Sequence, residues 1–516
     1  MNSKRACNGI ISHRLILYLV VAILFCGCGG GGSSSTAPAS TAEPDTPPET
    51  EDVSFYAYNF VDRGYYALSA SRVAEGDHCY IYLQKDQVVA AEAIEKVKNE
   101  FDKNIYPNLK EAFGDEPNPG VDKDPKVYLL LLNVRDGYSD SSSSYIAGYF
   151  DPNNEYESSG LNKKELLYMN LNPAPGIKVG EADFNDTLAH EFQHMIHWEQ
   201  KNHLKSNPDD AWLDEAMSTV AGTYCDYGPS WYNVWIYEQD PSNSLTVWGS
   251  AAEDYGVVYM WAQYLIDRYP DPDPSYRSIF KRMMEQDSIG IDSVNNALAA
   301  ADYDKKFPEI FRDLSIAVFS GKTSWLEHPE WFYLSVETKF GDHGDGYALP
   351  GLFPLSRHNV TDLPPLGPYS MNFYYYSHTT PFDGTLAWTQ AGANNSASFV
   401  DSTIPKITFT MASGTAYEYT DLGYLIEQQL DGTSGGGKVV SSSVVQNPAK
   451  LAAAEVSISL ETLVPKSSRQ ILAKANENPV VKRFAAHYGK KYRLDMDSFF
   501  REKERALRQS GARPSF

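Results

Sequence analysis

The sequence predicts an α+β chain: an N-terminal mixed β-sheet, a helical region, a C-terminal antiparallel β-domain and a helical tail. Three observations carry this reading. Short β-branched and aromatic runs separated by turns fill residues 53–83 and recur at KVYLLLLNV. Apolar residues then follow helical spacing through much of 185–320. From Gly341 the texture changes to Gly, Pro, Ser and Thr with short runs such as SMNFYYYS, GTLAWTQ, KITFTM and EVSISLETL.

Taken in order, residues 1–28 read as an export signal. Lys4, Arg5 and Arg14 precede the apolar run LILYLVVAILF, whose eleven residues are too few to cross a bilayer as a helix. The stretch Phe25-Cys26-Gly27-Cys28 resembles a bacterial lipobox, which implies lipidation of Cys28 and a membrane-anchored protein of the periplasm or cell surface. Plain secretion is the alternative. Residues 29–52, rich in Gly, Ser, Thr, Pro and Glu, form a disordered linker.

The main domain is expected over 53–340. A helix from Gln87 to Leu109 follows the first strands, with Val88, Ala91, Ile94, Val97 and Phe101 at helical spacing. FGDEPNPGVDKDP is a turn feeding the strand at KVYLLLLNV; its Asp122 and Asp124 offer oxygen ligands for Ca2+, although such a pair more often only makes a turn. SYIAGYFDP and ELLYMNL give two further strands. A helix over 185–201 has N-cap candidates in Asp183, Asn185, Asp186 and Thr187. More helices are expected near 210–224, 253–269, 272–286, 292–301 and 306–320, then a β-sandwich-like domain over 341–463 and a basic helical tail over 464–516.

Net charge is −23, yet residues 466–516 carry thirteen Lys/Arg against five Asp/Glu, or +8, leaving −31 on the rest. An acidic body excludes nucleic acid as partner, because phosphates require the opposite sign. Beyond the signal only Cys79 and Cys225 remain, too few for a cysteine-based zinc site; they either pair or stay free.

The chemistry concentrates in LAHEFQHMIHWEQ, residues 188–200. Residues four apart share one helix face, so His190 and His194 can reach one Zn2+, while Glu191 lies one position on, beside the water such an ion would activate. A third protein ligand is needed. Gly at 197 and His at 200 would extend the motif as in metzincins, but the chain has His197 and Gln200. His197 as third ligand would splay outward from the same helix, and reads better as a packed or solvent-facing neighbour. Glu215, twenty-one residues after His194 in WLDEAMSTVAGTY, is reached if two antiparallel helices flank the loop NHLKSNPDDA, whose His203 is solvated.

That spacing is similar to the gluzincins. HEFQHMIHW, WLDEAMSTVA and DYGVVYMWAQYLIDRYP together resemble the hyicolysin-type zinc metallopeptidases, as do FGDEPNPGVDKDPKVYLLLLNV and YIAGYFDPNNE upstream, over about residues 85–320. The resemblance implies a gluzincin-like catalytic domain and an exported zinc endopeptidase with one Zn2+ per chain, acting on protein or peptide substrates. Position by position it makes His190, His194 and Glu215 the metal ligands, Glu191 the general base and Tyr255 the donor to the oxyanion, with Tyr259 as fallback. It departs at Thr219, where thermolysin-like enzymes place the aspartate that orients a zinc histidine; Asp214, Asp186 or a backbone carbonyl must serve instead. No GxMEN strand is present, which favours cleavage inside chains over removal of N-terminal residues. Extended substrate is expected to pair with the strand around Tyr145, Ile146, Ala147 and Gly148. The competing reading is a non-catalytic surface lipoprotein used for adhesion or ligand binding.

Overall fold

The computed structural model describes residues 52–443, apart from 139–144, 157–160, 173–176, 323–328 and a series of short segments between 339 and 437. The signal with Cys28, most of the linker and the basic tail lie outside the described residues. No described helix is long and apolar enough to cross a membrane.

The N-terminal sheet is mixed, as its residues predict. Strands β1 (Val53–Asn59), β2 (Gly64–Glu75) and β3 (Cys79–Gln84) form an antiparallel meander. β3 then pairs in parallel with β4 (Val127–Leu132), β4 in parallel with β6 (Leu166–Asn170), and the short β5 (Gly148–Phe150) closes the edge antiparallel to β6. All six side chains of β4, VYLLLL, are buried, which is how a strand covered on both faces reads. Leu129 and Leu131 face the helices, while Leu130 and Leu132 join a second cluster with Phe55, Tyr149 and Tyr168. Each buried leucine contributes roughly 1.5–3 kcal/mol.

The first helix starts later than its sequence suggests. Val88 is 90% exposed, and α1 spans Ala91–Glu100; it continues through a wide turn, Phe101–Ile105, into α2 (Tyr106–Phe113). Helix α3 spans Ala182–His197 and also ends in a wide turn, Trp198–His203. Its N-cap is Glu181, so the proposed caps all lie inside the helix; Thr187 donates instead to the Asp183 carbonyl. After α4 (Ala211–Thr219) and α5 (Ala221–Tyr224) comes α6 (Trp231–Gln239), a helix the sequence did not reveal. WYNVWIYEQ is aromatic or apolar on nearly every side, so no single face stands out. It packs on α7 (Ala252–Arg268) at Gly256, where a Cβ would meet the Tyr237 amide nitrogen at 2.9 Å. Helix α8 (Ile279–Glu285) begins at the cap Ser278 rather than at residue 272, because the prolines of YPDPDPS hold the preceding stretch out of helix. α9 (Gly290–Ala300) and α10 (Phe307–Ser320) complete the helical region.

Beyond it lie two larger sheets and a two-stranded one. The five-stranded sheet runs Lys406–Thr410, Asn395–Asp401, Leu422–Gln429, Met371–Ser377, Leu355–Arg357, with only the last pair parallel. Gln428 from this sheet donates to Ser315 of α10 at 2.8 Å. Cys79 and Cys225 are both free and buried.

Glu155 and Glu165 are buried at 8% and 1% exposure, and burial followed by their mutual repulsion holds Glu155 well above the usual carboxyl range. Burial likewise pushes Glu165 from 4.5 up to about 7. The folded chain therefore binds these protons more tightly than the unfolded one, so stability is lost as pH rises from about 4.5 through about 7. Glu165→Gln keeps an acceptor for the Val121 amide and should raise the melting temperature by a few degrees at pH 8 but not at pH 4. Thermal melts across pH check this, and an equal offset at both values would contradict it.

Candidate metal centre

Helix α3 sorts its side chains by period. Leu188, Ala189, Phe192, Met195 and Ile196 enter the core, whereas His190, His194 and His197 recur on the face that meets α4. Buried polar groups require partners, and α4 supplies Asp214, Glu215 and Ser218. His190 Nε2 and His194 Nε2 lie 3.1 Å apart, and Glu215 Oε2 stands 3.6 Å from each. Tetrahedral zinc, with bonds of about 2.0–2.1 Å, sets its ligand atoms about 3.3–3.4 Å apart. The triangle has that size.

Its chemistry fits as well. Glu215 Oε2 is buried without a hydrogen-bond donor, and two imidazole nitrogens facing each other beside it form a donor set that a cation can share. Two imidazoles and one carboxylate suit zinc rather than calcium, which takes oxygen ligands. Among the described residues, these three form the one group of three or more His, Cys, Asp or Glu that could hold a metal ion, their ligand atoms lying within 4.8 Å of one another. Asp122 and Asp124 are engaged otherwise: Asp122 accepts from the Asp124 amide and pairs with Lys164 at 3.2 Å, and Asp124 accepts from the Lys126 amide and Tyr80.

The electrostatics follow from burial against neighbours. Burial depresses the His190 imidazolium. It opposes charge on His194 too, but Asp214 and Glu215 outweigh it and hold that ring well above its usual range. Burial raises the Glu215 carboxyl, yet the two histidines bring it below its ordinary value. Glu191, fully buried, is pushed up to about 8 by the same burial, with His194 and the Phe150 backbone pulling partly back.

Asp214 takes the place left open by Thr219. Its Oδ1 lies 3.0 Å from His194 Nδ1, so the Nδ1–H faces Asp214 and Nε2 is left for a metal, a tautomer inferred from the partners. Ser218 Oγ lies 3.0 Å from the same nitrogen. Thr219 only returns its hydroxyl to the Glu215 carbonyl, at 2.6 Å. Asp186, the other candidate, sits one turn before His190 and has its carboxyl pushed up to about 7 by burial. His197 is buried rather than solvent-facing, and its Nδ1 is 3.0 Å from that same Asp214 Oδ1; burial works against its charge, but Asp214 and Asp209 hold it at about 9. His203 is exposed, stacked on Trp198 and bonded to Glu199 at 2.7 Å.

Strand β5 crosses close to Glu191. A Cβ on Gly148 would lie 3.1 Å from Glu191 Cγ and 3.0 Å from the Tyr168 carbonyl, so only glycine fits without displacement. Of the four residues proposed for substrate, Tyr145, Ile146 and Ala147 precede the strand. The Ile146 amide donates to Asp136, its carbonyl accepts from Asn170, and the Ala147 carbonyl accepts from the Asn170 amide. Continuing that alternation along the ladder leaves the backbone groups of Gly148 and Phe150 on the outer side. Tyr255, on α7, is buried with its ring edge-on to Trp248 at 5.0 Å. The Tyr259 hydroxyl accepts from the Ser230 amide at 2.8 Å, which gives it a structural task.

Over 293 residues the chain is 31% identical to the neutral metalloprotease ShpI of Staphylococcus hyicus, a match covering 54% of this chain and 61% of that protein. The chain therefore spans about three fifths of the length of the relative it matches. It matches no protein-family model. The similarity supports a metallopeptidase family, and the cluster of His190, His194 and Glu215 fits a metal such as zinc.

Glu215→Ala leaves two imidazoles and no anionic ligand. It should weaken zinc binding by more than about a hundredfold, beyond the loss typical of outer partners. Elemental analysis after dialysis against a weak chelator reads this, and wild-type retention of zinc by the variant would contradict the assignment.

Proposed function

We propose that this chain is an exported zinc-dependent metalloendopeptidase that hydrolyses internal peptide bonds. The single observation that carries the reading is the Glu215 carboxylate 3.6 Å from both His190 and His194, two nitrogens that themselves face each other at 3.1 Å. Likeness to a neutral metalloprotease supports it independently.

In this reading His190, His194 and Glu215 hold zinc. The bound ion supplies Lewis acidity to a water molecule and to the scissile carbonyl. Glu191 takes the proton from the attacking water and passes it to the leaving amine. Its burial favours the protonated form of the carboxyl, which suits a group that must take up a proton. Tyr255 donates its phenolic hydrogen to the oxyanion as charge develops. The outward backbone groups of Gly148 and the carbonyl of Phe150 pair with an extended substrate, which brings a peptide carbonyl over Glu191. Residues 1–28 direct export, with Cys28 lipidated and the chain held at a membrane by residues 29–52.

Two variants separate these roles. Glu191→Gln should keep zinc and lower kcat on casein by about 10²–10⁴. Tyr255→Phe should also keep zinc and lower kcat by about 10²–10³, with KM little changed. Casein hydrolysis with and without a chelator provides the reference. Activity that survives metal removal, or full activity in Glu191→Gln, refutes the mechanism.

A further inference from the structure

Behind His194 runs a buried chain of alternating charge. Asp214 Oδ1 is hydrogen-bonded to His194 Nδ1 at 3.0 Å and lies equally 3.0 Å from His197 Nδ1, an ion-pair contact not aligned as a hydrogen bond, so one carboxylate oxygen bridges a proposed metal ligand and a second imidazole. On its far side, His197 Nε2 is 3.6 Å from Asp209 Oδ2, and that oxygen is 3.7 Å from Lys201 Nζ. The Asp209 and Lys201 side chains have no exposure at all, and that of His197 has 2%. The outer end is fixed by backbone. Asp209 Oδ1 accepts from the amides of Gly290 and Asp210 at 2.6 and 2.9 Å, and Lys201 donates to the carbonyls of Gln286 and Ser288 at 3.0 and 2.7 Å.

Groups buried this deeply are costly unless each is paired. Here His197, Asp209 and Lys201 meet through ion-pair contacts of 3.6 and 3.7 Å, with the Asp209 and Lys201 ends also held by backbone. Asp214 is a short side chain on the first turn of α4 and stands between the rings of His194 and His197. The second imidazole holds it at a fixed point between two rings of α3.

We infer that His197 is a positioning residue for the metal centre: it pins the Asp214 carboxylate on His194 Nδ1 and so keeps His194 Nε2 aimed at the ion, with Asp209 and Lys201 holding His197 in turn. The inference rests on the zinc reading above, and goes beyond it in giving the third histidine of the helix a role in metal affinity without a bond to the metal. Groups that orient a ligand typically alter metal affinity by about 10–100-fold when removed.

The test is a zinc titration of the full chain against a competing chelator, for wild type, His197→Asn and His197→Leu. Asparagine places an amide donor near the position of Nδ1, whereas leucine offers none. Expected is a loss of zinc affinity of about 10–100-fold in His197→Leu and less than about tenfold in His197→Asn. The visible spectrum of the cobalt-loaded Leu variant should also shift, a change that altered packing alone would not bring. Melting of the metal-free proteins reports folding. Should the leucine variant fail to fold, His197→Gln replaces it, because its longer amide reaches the Asp209 side and not Asp214. Wild-type affinity and an unshifted cobalt spectrum in the donor-less variant overturn the inference while the zinc reading stands. Failure of the wild type itself to bind zinc overturns both.

Discussion

Helix α4 lies across α3 so that one carboxylate oxygen meets two imidazole nitrogens that face each other. That contact sets requirements on everything around it. Its Oε2 has no hydrogen-bond donor, so positive charge at the centre favours the arrangement. The helices that create it must also be rigid. The core side of α3 is filled by Phe192, Met195 and Ile196, and α4 is held from behind by α7, where Trp212 packs edge-on to Trp261 at 5.1 Å. Hydrophobic packing fixes the backbone, and the polar face is left to do the chemistry.

The sheet contributes by stopping short. Strand β5 has three residues, and its neighbour β6 is parallel to β4. The edge therefore ends beside Glu191, with a glycine at the point of closest approach. A longer edge strand with a side chain at that point would displace Glu191 and crowd the space a substrate backbone needs. Mixed topology thus places an edge antiparallel to its neighbour next to a helix whose polar face carries the candidate metal ligands.

Much of this was legible in the residues because two periods are simple. Helical spacing alone put His190 and His194 on one face, and the polar loop between two apolar helices put Glu215 within reach. The continuous apolar run VYLLLL marked a strand buried on both sides. Where the reading went astray, the cause was local. Val88 has the right spacing but precedes the helix and is exposed. WYNVWIYEQ hides its period because almost every position is apolar or aromatic. His197, Asp209 and Lys201 meet only after the chain turns through 198–210, so no spacing rule pairs them; the two aspartates of NPDD before α4 were the available signal. Asp214 was one of three candidates to orient a histidine, and choosing among them required the register between two helices.

The free thiols of Cys79 and Cys225 have a practical consequence. One lies at the start of β3 and the other just past α5, both at 1% exposure or less, and burial holds each in its protonated, unreactive form. Among the described residues no disulfide ties the sheet to the helices. Both sulfurs become available to an alkylating dye when their surroundings open, which makes them a native gauge of opening in the sheet and in the helical region.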